Sequence, residues 1–128
     1  MKILHISEES SLLLLRGRYL KSLGYEVVGT REVGTAFAML RSGERFDALL
    51  LCHTLSEAVK LGIAGRARRG WGRPLIVELY LAETPVTGGI ALEADRDFQP
   101  QMERWAESLT GLPERATRET EDALLQTH

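Results

Sequence analysis

The sequence predicts a single α/β domain in which helices cover both faces of a parallel β-sheet. Residues 48–52 form a short, purely apolar run, which is typical of a central strand buried on both faces. Strand-like runs alternate with helix-like segments, an order that predicts parallel strands joined by right-handed crossovers. The 128 residues suffice for one domain that buries roughly 68% of its unfolded surface.

The first half of the chain predicts three strands and two helices. The strands occupy residues 2–6, 25–29 and 46–52. A helix begins near Ser10, after acidic residues that favour a helix N-terminus, and ends at Gly24. Its apolar face is predicted to comprise Leu12, Leu13, Leu15, Tyr19, Leu20 and Leu23. A second helix, ended by Gly43, carries Val33, Ala36, Phe37, Met39 and Leu40.

The second half of the chain continues this alternation for one helix and one strand only. Thr54 or Ser56 caps the helix, whose last turn is rich in arginine, and residues 75–79 form the strand. The segment 82–89 contains Pro85, Gly88 and Gly89 and is therefore unsuited to a helix. We expect the fourth helix of the alternation to be lost or much shortened.

The remaining elements are a short strand and a final helix. Residues 90–92 are the candidate fifth strand, and the final helix is predicted to begin near Pro100, because proline is a favoured first helical residue. Its core face comprises Met102, Trp105, Ala106 and Leu109. The domain is thus expected to span residues 1–110, followed by a polar, mobile tail at residues 111–128.

The composition argues against several broad classes of protein. The formal net charge of -2 gives no general attraction to nucleic acid or to an anionic membrane. The longest apolar stretch is far shorter than the roughly 20 residues that span a bilayer. The single cysteine suits a reducing compartment, and the first residues run into a strand rather than a signal peptide. We therefore expect a cytoplasmic protein.

Four segments stand out by their order and spacing: KILHISEE at residues 2–9, LGYEVV at 23–28, FDALLLC at 46–52 and PLIV at 74–77. Over about residues 2–110, the chain resembles the receiver domain of bacterial two-component response regulators. The resemblance implies a flavodoxin-like, doubly wound sheet of five parallel strands in the order 2-1-3-4-5. It also implies a role in signal transduction, in connection with a phosphorelay.

The resemblance further indicates which residues occupy the phosphorylation site. A receiver accepts a phosphoryl group on an aspartate at the end of strand three, and Cys52 stands at that position. Ser7 and Glu8 replace the acidic pair that holds Mg²⁺. Leu79 replaces the hydroxyl residue at the end of strand four, and Arg96 stands at the position of the lysine that follows strand five.

These replacements predict a pseudo-receiver that keeps the fold without phosphotransfer. An acyl phosphate needs a carboxylate nucleophile and a divalent cation to neutralise charge. Cys52 is no carboxylate and has no evident base beside it, and Ser7 removes one hard oxygen ligand. Leu79 cannot hydrogen-bond a phosphoryl oxygen. We predict no enzymatic activity, no cofactor and no metal site beyond a weak Mg²⁺ contact at Glu8.

Protein partners are the expected ligands. In receivers, the face formed by helix four, strand five and helix five meets the output partner. The loss of helix four predicts that this face is rebuilt, either as a different docking surface or as a mobile loop that orders on a partner. It would bind a signalling protein or a second copy of the chain, and the candidate contact residues are Arg69, Trp71, Glu83 and Thr87. The basic cluster at residues 65–73 is interpreted as a solvated helix end rather than a nucleic-acid patch.

Cys52 leaves a second interpretation open. A redox or small-ligand sensor would use the strand-end pocket around Cys52, and its thiol would need a depressed pKa and exposure. We favour a packing role, because free cysteine behaves as a small buried hydrophobe and His53 is expected to point to the opposite face. His5, Glu8, Cys52 and His53 are expected in one region, but their spacing is not diagnostic of a zinc site.

Overall fold

A computed structural model gives the fold of the chain and describes residues 1–70 and 72–108. These residues form β1 (Lys2–Ile6), α1 (Ser10–Ser22), β2 (Glu26–Thr30), α2 (Val33–Arg41), β3 (Ala48–Leu51), α3 (Glu57–Arg69), β4 (Leu75–Tyr80), β5 (Ile90–Glu93) and α4 (Phe98–Glu107). The five strands are parallel in the order β2-β1-β3-β4-β5, which confirms the predicted fold class. Trp71, Leu109 and the predicted tail lie outside the described residues.

The core lies in two layers, one on each face of the sheet. Alternate residues of a strand point to opposite faces, so β3 sends Leu50 to one layer and Leu49 and Leu51 to the other. The first layer lies under α1 and α4, where Leu20, Met102 and Trp105 are buried. The second lies under α2 and α3. β3 is thus buried on both faces, as its uninterrupted apolar run predicts.

The buried stripe of α1 matches the prediction in part: Leu20 is in the core, and Leu12, Tyr19 and Leu23 pack against it. The centre of the stripe is Arg16, which is only 8% exposed and lies one turn from both Leu12 and Leu20. Leu15 was predicted to face the core, but it is 68% exposed. Successive residues of a helix are rotated by about 100°, so a stripe centred on Arg16 leaves Leu15 at its margin. The prediction was wrong in including Leu15 and in leaving out Arg16.

Several other boundaries differ from prediction by one or two residues. α4 begins at Phe98, two residues before Pro100. Proline is tolerated throughout the first helical turn, because those N–H groups have no partner inside the helix. β4 also runs one residue further than predicted, to Tyr80. Among the described residues, no helix is both long enough and apolar enough to cross a bilayer.

The chain between β4 and β5 forms no helix, as predicted. Residues 81–89 are bends and irregular backbone instead, and a buried carboxylate holds them. Glu78 on β4 is 1% exposed and accepts hydrogen bonds from the N–H of Val86 (3.0 Å) and the N–H of Thr87 (2.9 Å). The Thr87 hydroxyl donates to the same carboxylate at 2.8 Å. The segment 81–89 is therefore tied to the sheet at its centre.

Lys60 neutralises this carboxylate. Its side chain, on α3, is 2% exposed, and Nζ lies 3.3 Å from Glu78 Oε2. Nζ also donates to the Leu79 carbonyl at 2.9 Å and lies 3.7 Å from Glu83 Oε1. Burial tends to raise the pKa of Glu78, but the hydrogen bonds from Thr87 and Val86 and the charge of Lys60 outweigh it and lower the pKa. Both buried charges are thus paired and hydrogen-bonded.

Replacing Thr87 with valine should destabilise the domain. The change keeps the side-chain volume but removes the hydroxyl donor to a buried, charged acceptor, a loss of about 1.5–3 kcal/mol in the free energy of unfolding. Thr84→Val is the matched control, because Thr84 is exposed in the same segment and its loss should change stability by less than about 0.5 kcal/mol. Urea denaturation measures both. Equal stabilities for the two variants would contradict the anchoring role of Glu78.

Candidate functional site

The candidate site lies at the carboxyl edge of the sheet, where β1 and β3 end side by side. Ile6 is in register with Leu51, and the Cys52 N–H donates to the Ile6 carbonyl at 3.0 Å. Ser7 and Cys52 thus follow the ends of neighbouring strands, and both are fully buried. In open α/β sheets the functional groups collect at this edge.

The thiol of Cys52 is surrounded by hydrogen-bond donors. Nη1 of Arg16 lies 3.1 Å from Sγ, and the Thr54 hydroxyl donates to Sγ at 3.2 Å. Nδ1 of His53 lies 3.8 Å from Sγ. A guanidinium can only donate hydrogen bonds, so the pocket is built to stabilise negative charge on sulfur.

These donors set the ionisation of the thiol. Burial tends to raise the pKa of Cys52, because it disfavours the thiolate. Hydrogen bonds from the side chains of Ser7 and Thr54, and the positive charge of Arg16, act in the opposite direction and prevail, so the pKa falls below its ordinary value. Cys52 is therefore buried and has a thiol with a lowered pKa, a combination that a simple packing role does not require.

His53 does not point away from Cys52, contrary to prediction. β3 ends at Leu51, so the strand alternation no longer applies to residues 52 and 53. Nη2 of Arg16 lies 3.3 Å from His53 Nδ1, which must accept this hydrogen bond because the guanidinium has no acceptor. Burial, followed by the charge of Arg16, lowers the pKa of His53. His53 thus adjoins Cys52, but the lone pair of its Nδ1 is occupied by Arg16.

Arg16 is the residue that sequence reasoning missed. Its guanidinium contacts both Cys52 and His53, and its Cζ lies 5.5 Å from the centroid of the Phe98 ring on α4. The available signal was its position in the middle of the apolar stripe of α1, one turn from Leu12 and from Leu20. A charged residue there must either disrupt the core or find a buried partner.

The structure separates the other predicted site residues. Glu8 is exposed, and its side chain has no ion pair or hydrogen bond within the described residues. The Leu79 side chain packs in the layer under α1 and α4. Arg96 is 77% exposed and pairs with Glu93 (3.6 Å) and Asp97 (3.7 Å). The cation beside Cys52 is thus Arg16 of α1.

Two of the four predicted partner contacts are exposed to solvent, and their role in binding stays a prediction. Glu83 is exposed in the segment 81–89, and Arg69 is exposed at the end of α3. Thr87 is not available to a partner, because it is 3% exposed and its hydroxyl is bound to Glu78. Its prediction as a docking residue is wrong, since a polar residue in a Pro/Gly segment need not face solvent. Trp71 lies outside the described residues.

His5 lies on β1, one residue before the end of the strand, and is completely buried. Neither ring nitrogen has a hydrogen-bond partner within the described residues. Burial, followed by the charge of Arg16, lowers the pKa of His5 to about 3, so the ring is neutral near pH 7. No group of three or more histidine, cysteine or acidic residues in residues 1–70 and 72–108 is arranged to hold a metal ion.

Comparison with known proteins gives matches to solved structures only. No protein-family model and no curated protein matches the sequence. The receiver domain of the hybrid histidine kinase CckA is 21% identical with a TM-score of 0.67, and the match covers 85% of this chain and 99% of that domain. The receiver domain of the sensor histidine kinase PA1611 from Pseudomonas aeruginosa, with magnesium in its active-site cleft, is 21% identical with a TM-score of 0.66, over 84% and 98%.

A third matching structure is described as an adenylate cyclase, not as a receiver domain. The adenylate cyclase from Rhodopirellula baltica is 16% identical to this chain with a TM-score of 0.73, and the match covers 99% of this chain and 98% of that one. At these levels of identity the matches establish the fold, which is that of receiver domains. They leave the activity to be argued from the residues of the pocket.

Replacing Arg16 with methionine should raise the pKa of Cys52, because it removes the cation that stabilises the thiolate. The ultraviolet absorbance of the thiolate during a pH titration measures this pKa. Arg18→Met is the matched control, because Arg18 is exposed on the same helix. Thr54→Val should shift the titration in the same direction. If neither Arg16→Met nor Thr54→Val moved the midpoint, the thiolate pocket would not exist in solution.

Acid should destabilise the domain through His5. Its pKa is about 3 in the folded state and 6.5 unfolded, so the unfolded chain binds a proton that the folded chain excludes. The stability contribution is complete above pH 6.5 and is lost as the pH falls towards 3, by about 2 kcal/mol between pH 7 and pH 5. His5→Leu should remove this part of the pH dependence. Urea denaturation at both pH values, for both proteins, measures it.

Proposed function

We propose that this chain is a non-phosphorylatable pseudo-receiver that acts as a protein–protein interaction module in bacterial signal transduction. The observation that carries the proposal is the contact between Arg16 and Cys52, at 3.1 Å, where a receiver has its phosphoacceptor aspartate. A thiol replaces the carboxylate there, and a guanidinium fills the space beside it. No catalytic activity is part of the proposal.

The charges of the pocket oppose a magnesium site. Mg²⁺ prefers carboxylate and other hard oxygen ligands in near-octahedral geometry. The pocket offers sulfur from Cys52, the hydroxyl of Ser7 and a fixed cation, Arg16, which repels a second cation. Glu8 is the remaining carboxylate of the predicted pair, and it is exposed. A divalent ion therefore has little to bind.

The interaction surface that we propose is formed by α4 and the segment 81–89. In a switching receiver this region changes shape, whereas here Glu78 and Lys60 hold the segment in one conformation through buried hydrogen bonds. The shape of such a surface would not change with phosphorylation. Binding would therefore depend only on the presence of the partner. We place the module in the cytoplasm, with a signalling protein or a second copy of itself as partner.

Magnesium should leave the amide NMR spectrum unchanged. We expect no shifts at Ser7, Glu8 or Cys52 with millimolar Mg²⁺, or after addition of beryllofluoride, which mimics an acyl phosphate. Ser7→Asp/Cys52→Asp is the matched variant, because it restores two hard oxygen ligands and should gain magnesium-dependent shifts. Shifts confined to this pocket in the unmodified protein would contradict the proposal and support a receiver that can be phosphorylated.

The partner surface is tested by charge reversal. Glu83→Arg should weaken association with a signalling partner purified by affinity to this domain, because Glu83 is exposed at the proposed surface. Glu32→Arg makes the same change after β2, at the opposite edge of the sheet. Equal binding by the two variants would remove the support for this surface.

A second candidate function is a thiol-based sensor at Cys52. The lowered pKa and the two hydrogen-bond donors to Sγ, Arg16 and Thr54, favour it, because the thiolate is the reactive form of cysteine. The complete burial of Cys52 opposes it. Alkylation by iodoacetamide separates the two readings: rapid labelling of the folded protein supports a sensor, and labelling only after denaturation supports the pseudo-receiver.

A further inference from the structure

The loss of a helix between β4 and β5 leaves a strip of surface with opposite charges at its ends. The strip runs between α3 and the edge strand β5, on the face of the sheet that α3 covers. At its carboxyl end is a cavity of about 620 Å³, whose lining includes the exposed carboxylates of Glu57 and Glu83 and the apolar side chains of Leu55 and Val86. Lys60 and Glu78 also line it.

The amino end of the strip has the opposite character. A cavity of about 320 Å³ is lined by Arg68 and Arg73, by the apolar residues Pro74, Ile76 and Ile90, and by the Gly88–Gly89 turn. Within residues 1–70 and 72–108, neither arginine forms an ion pair. Their charges are therefore available to a ligand.

The Gly88–Gly89 turn packs directly against β4. A Cβ on Gly89 would lie 2.5 Å from the Ile76 carbonyl oxygen, so only glycine lets the turn lie this close to β4. Gly88 has φ +73°, a conformation that favours glycine. The turn thus brings the end of the segment 81–89 onto β4, beside the two arginines.

The charges of the two ends match in number. Glu57, Glu78 and Glu83 against Lys60 leave a surplus of two negative charges at one end, and Arg68 and Arg73 supply two positive charges at the other. From Glu57 to Arg68 the ends are roughly 16 Å apart along α3. A strip of this kind is complementary to itself when a second copy is turned end for end, because each charged end then meets its opposite twice.

We propose that the chain forms a two-fold symmetric dimer through this strip, with Arg68 and Arg73 of each copy facing Glu57 and Glu83 of the other. The proposal rests on the proposed function as an interaction module and names the partner of one surface, the chain itself. A two-fold interface uses the same patch on both copies, as this strip allows. The overall charge of -2 gives no net attraction between copies, so the attraction is local and screened by salt.

Sedimentation of the full chain tests the proposal. The unmodified chain should form dimers that dissociate as salt is added. Glu57→Arg/Glu83→Arg makes the strip basic throughout, and Arg68→Glu/Arg73→Glu makes it acidic throughout. Each variant alone should bind itself at least about 100-fold more weakly, because like charges then face each other. An equimolar mixture of the two should form a heterodimer.

The mixture guards against a trivial explanation, because variants that had lost their fold could not restore each other. Arg18→Glu/Arg31→Glu is the control at the opposite edge of the molecule, and it should leave the dimer unchanged. A monomeric unmodified chain, unimpaired variants or a mixture that stays monomeric would each overturn the proposal. Open chains of many copies would overturn its two-fold symmetry.

These outcomes are separable from the proposed function. A chain that stays monomeric while showing no magnesium response and binding a signalling partner through Glu83 remains an interaction module, and only the self-association fails. Pocket amides that respond to magnesium would instead remove the pseudo-receiver proposal, whatever the sedimentation result.

Discussion

The buried pair of Lys60 and Glu78 is the interaction on which the connection between β4 and β5 depends. A carboxylate that is 1% exposed is tolerated because Lys60 neutralises it and three donors of the segment 81–89 satisfy its oxygens. Removing one charge of such a pair leaves the other unpaired, at a cost of about 3–5 kcal/mol. The pair thus holds the connection between β4 and β5 against the sheet. In a doubly wound sheet, a packed crossover helix does this. It also fixes the walls of the acidic cavity.

The pocket at the end of β3 follows the same principle with a different group. There Arg16 is the buried charge, and its partners are a thiol, an imidazole and an aromatic ring. A neutral thiol would leave the guanidinium without a counter-charge, whereas a thiolate supplies one. Burial of Arg16 and ionisation of Cys52 are therefore coupled, and each favours the other.

The sequence predicted the architecture well because its signals were local and repeated. The apolar run of β3, the glycine stops and the Pro/Gly content of residues 82–89 each define one element. Together they predict the parallel sheet and the absence of a helix before β5, whereas the strand order was implied by the resemblance to receiver domains. The errors are at positions where a polar side chain is buried, such as Arg16 and Thr87. Their partners are 36 and 9 residues away in sequence, so no local pattern reveals them.

The short connection between β4 and β5 has a consequence for how the domain folds. Val77 pairs with Ile90, 13 positions later, whereas Ile3 pairs with Val27 and Ala48, and Ala48 with Leu75. The other parallel pairings therefore close loops about twice as long or longer, and closing a longer loop loses more chain entropy. Contacts that are local in sequence also favour rapid folding. The β4–β5 unit is accordingly suited to form early and serve as a nucleus, so the truncated side of the domain would be assembled before the pocket around Cys52.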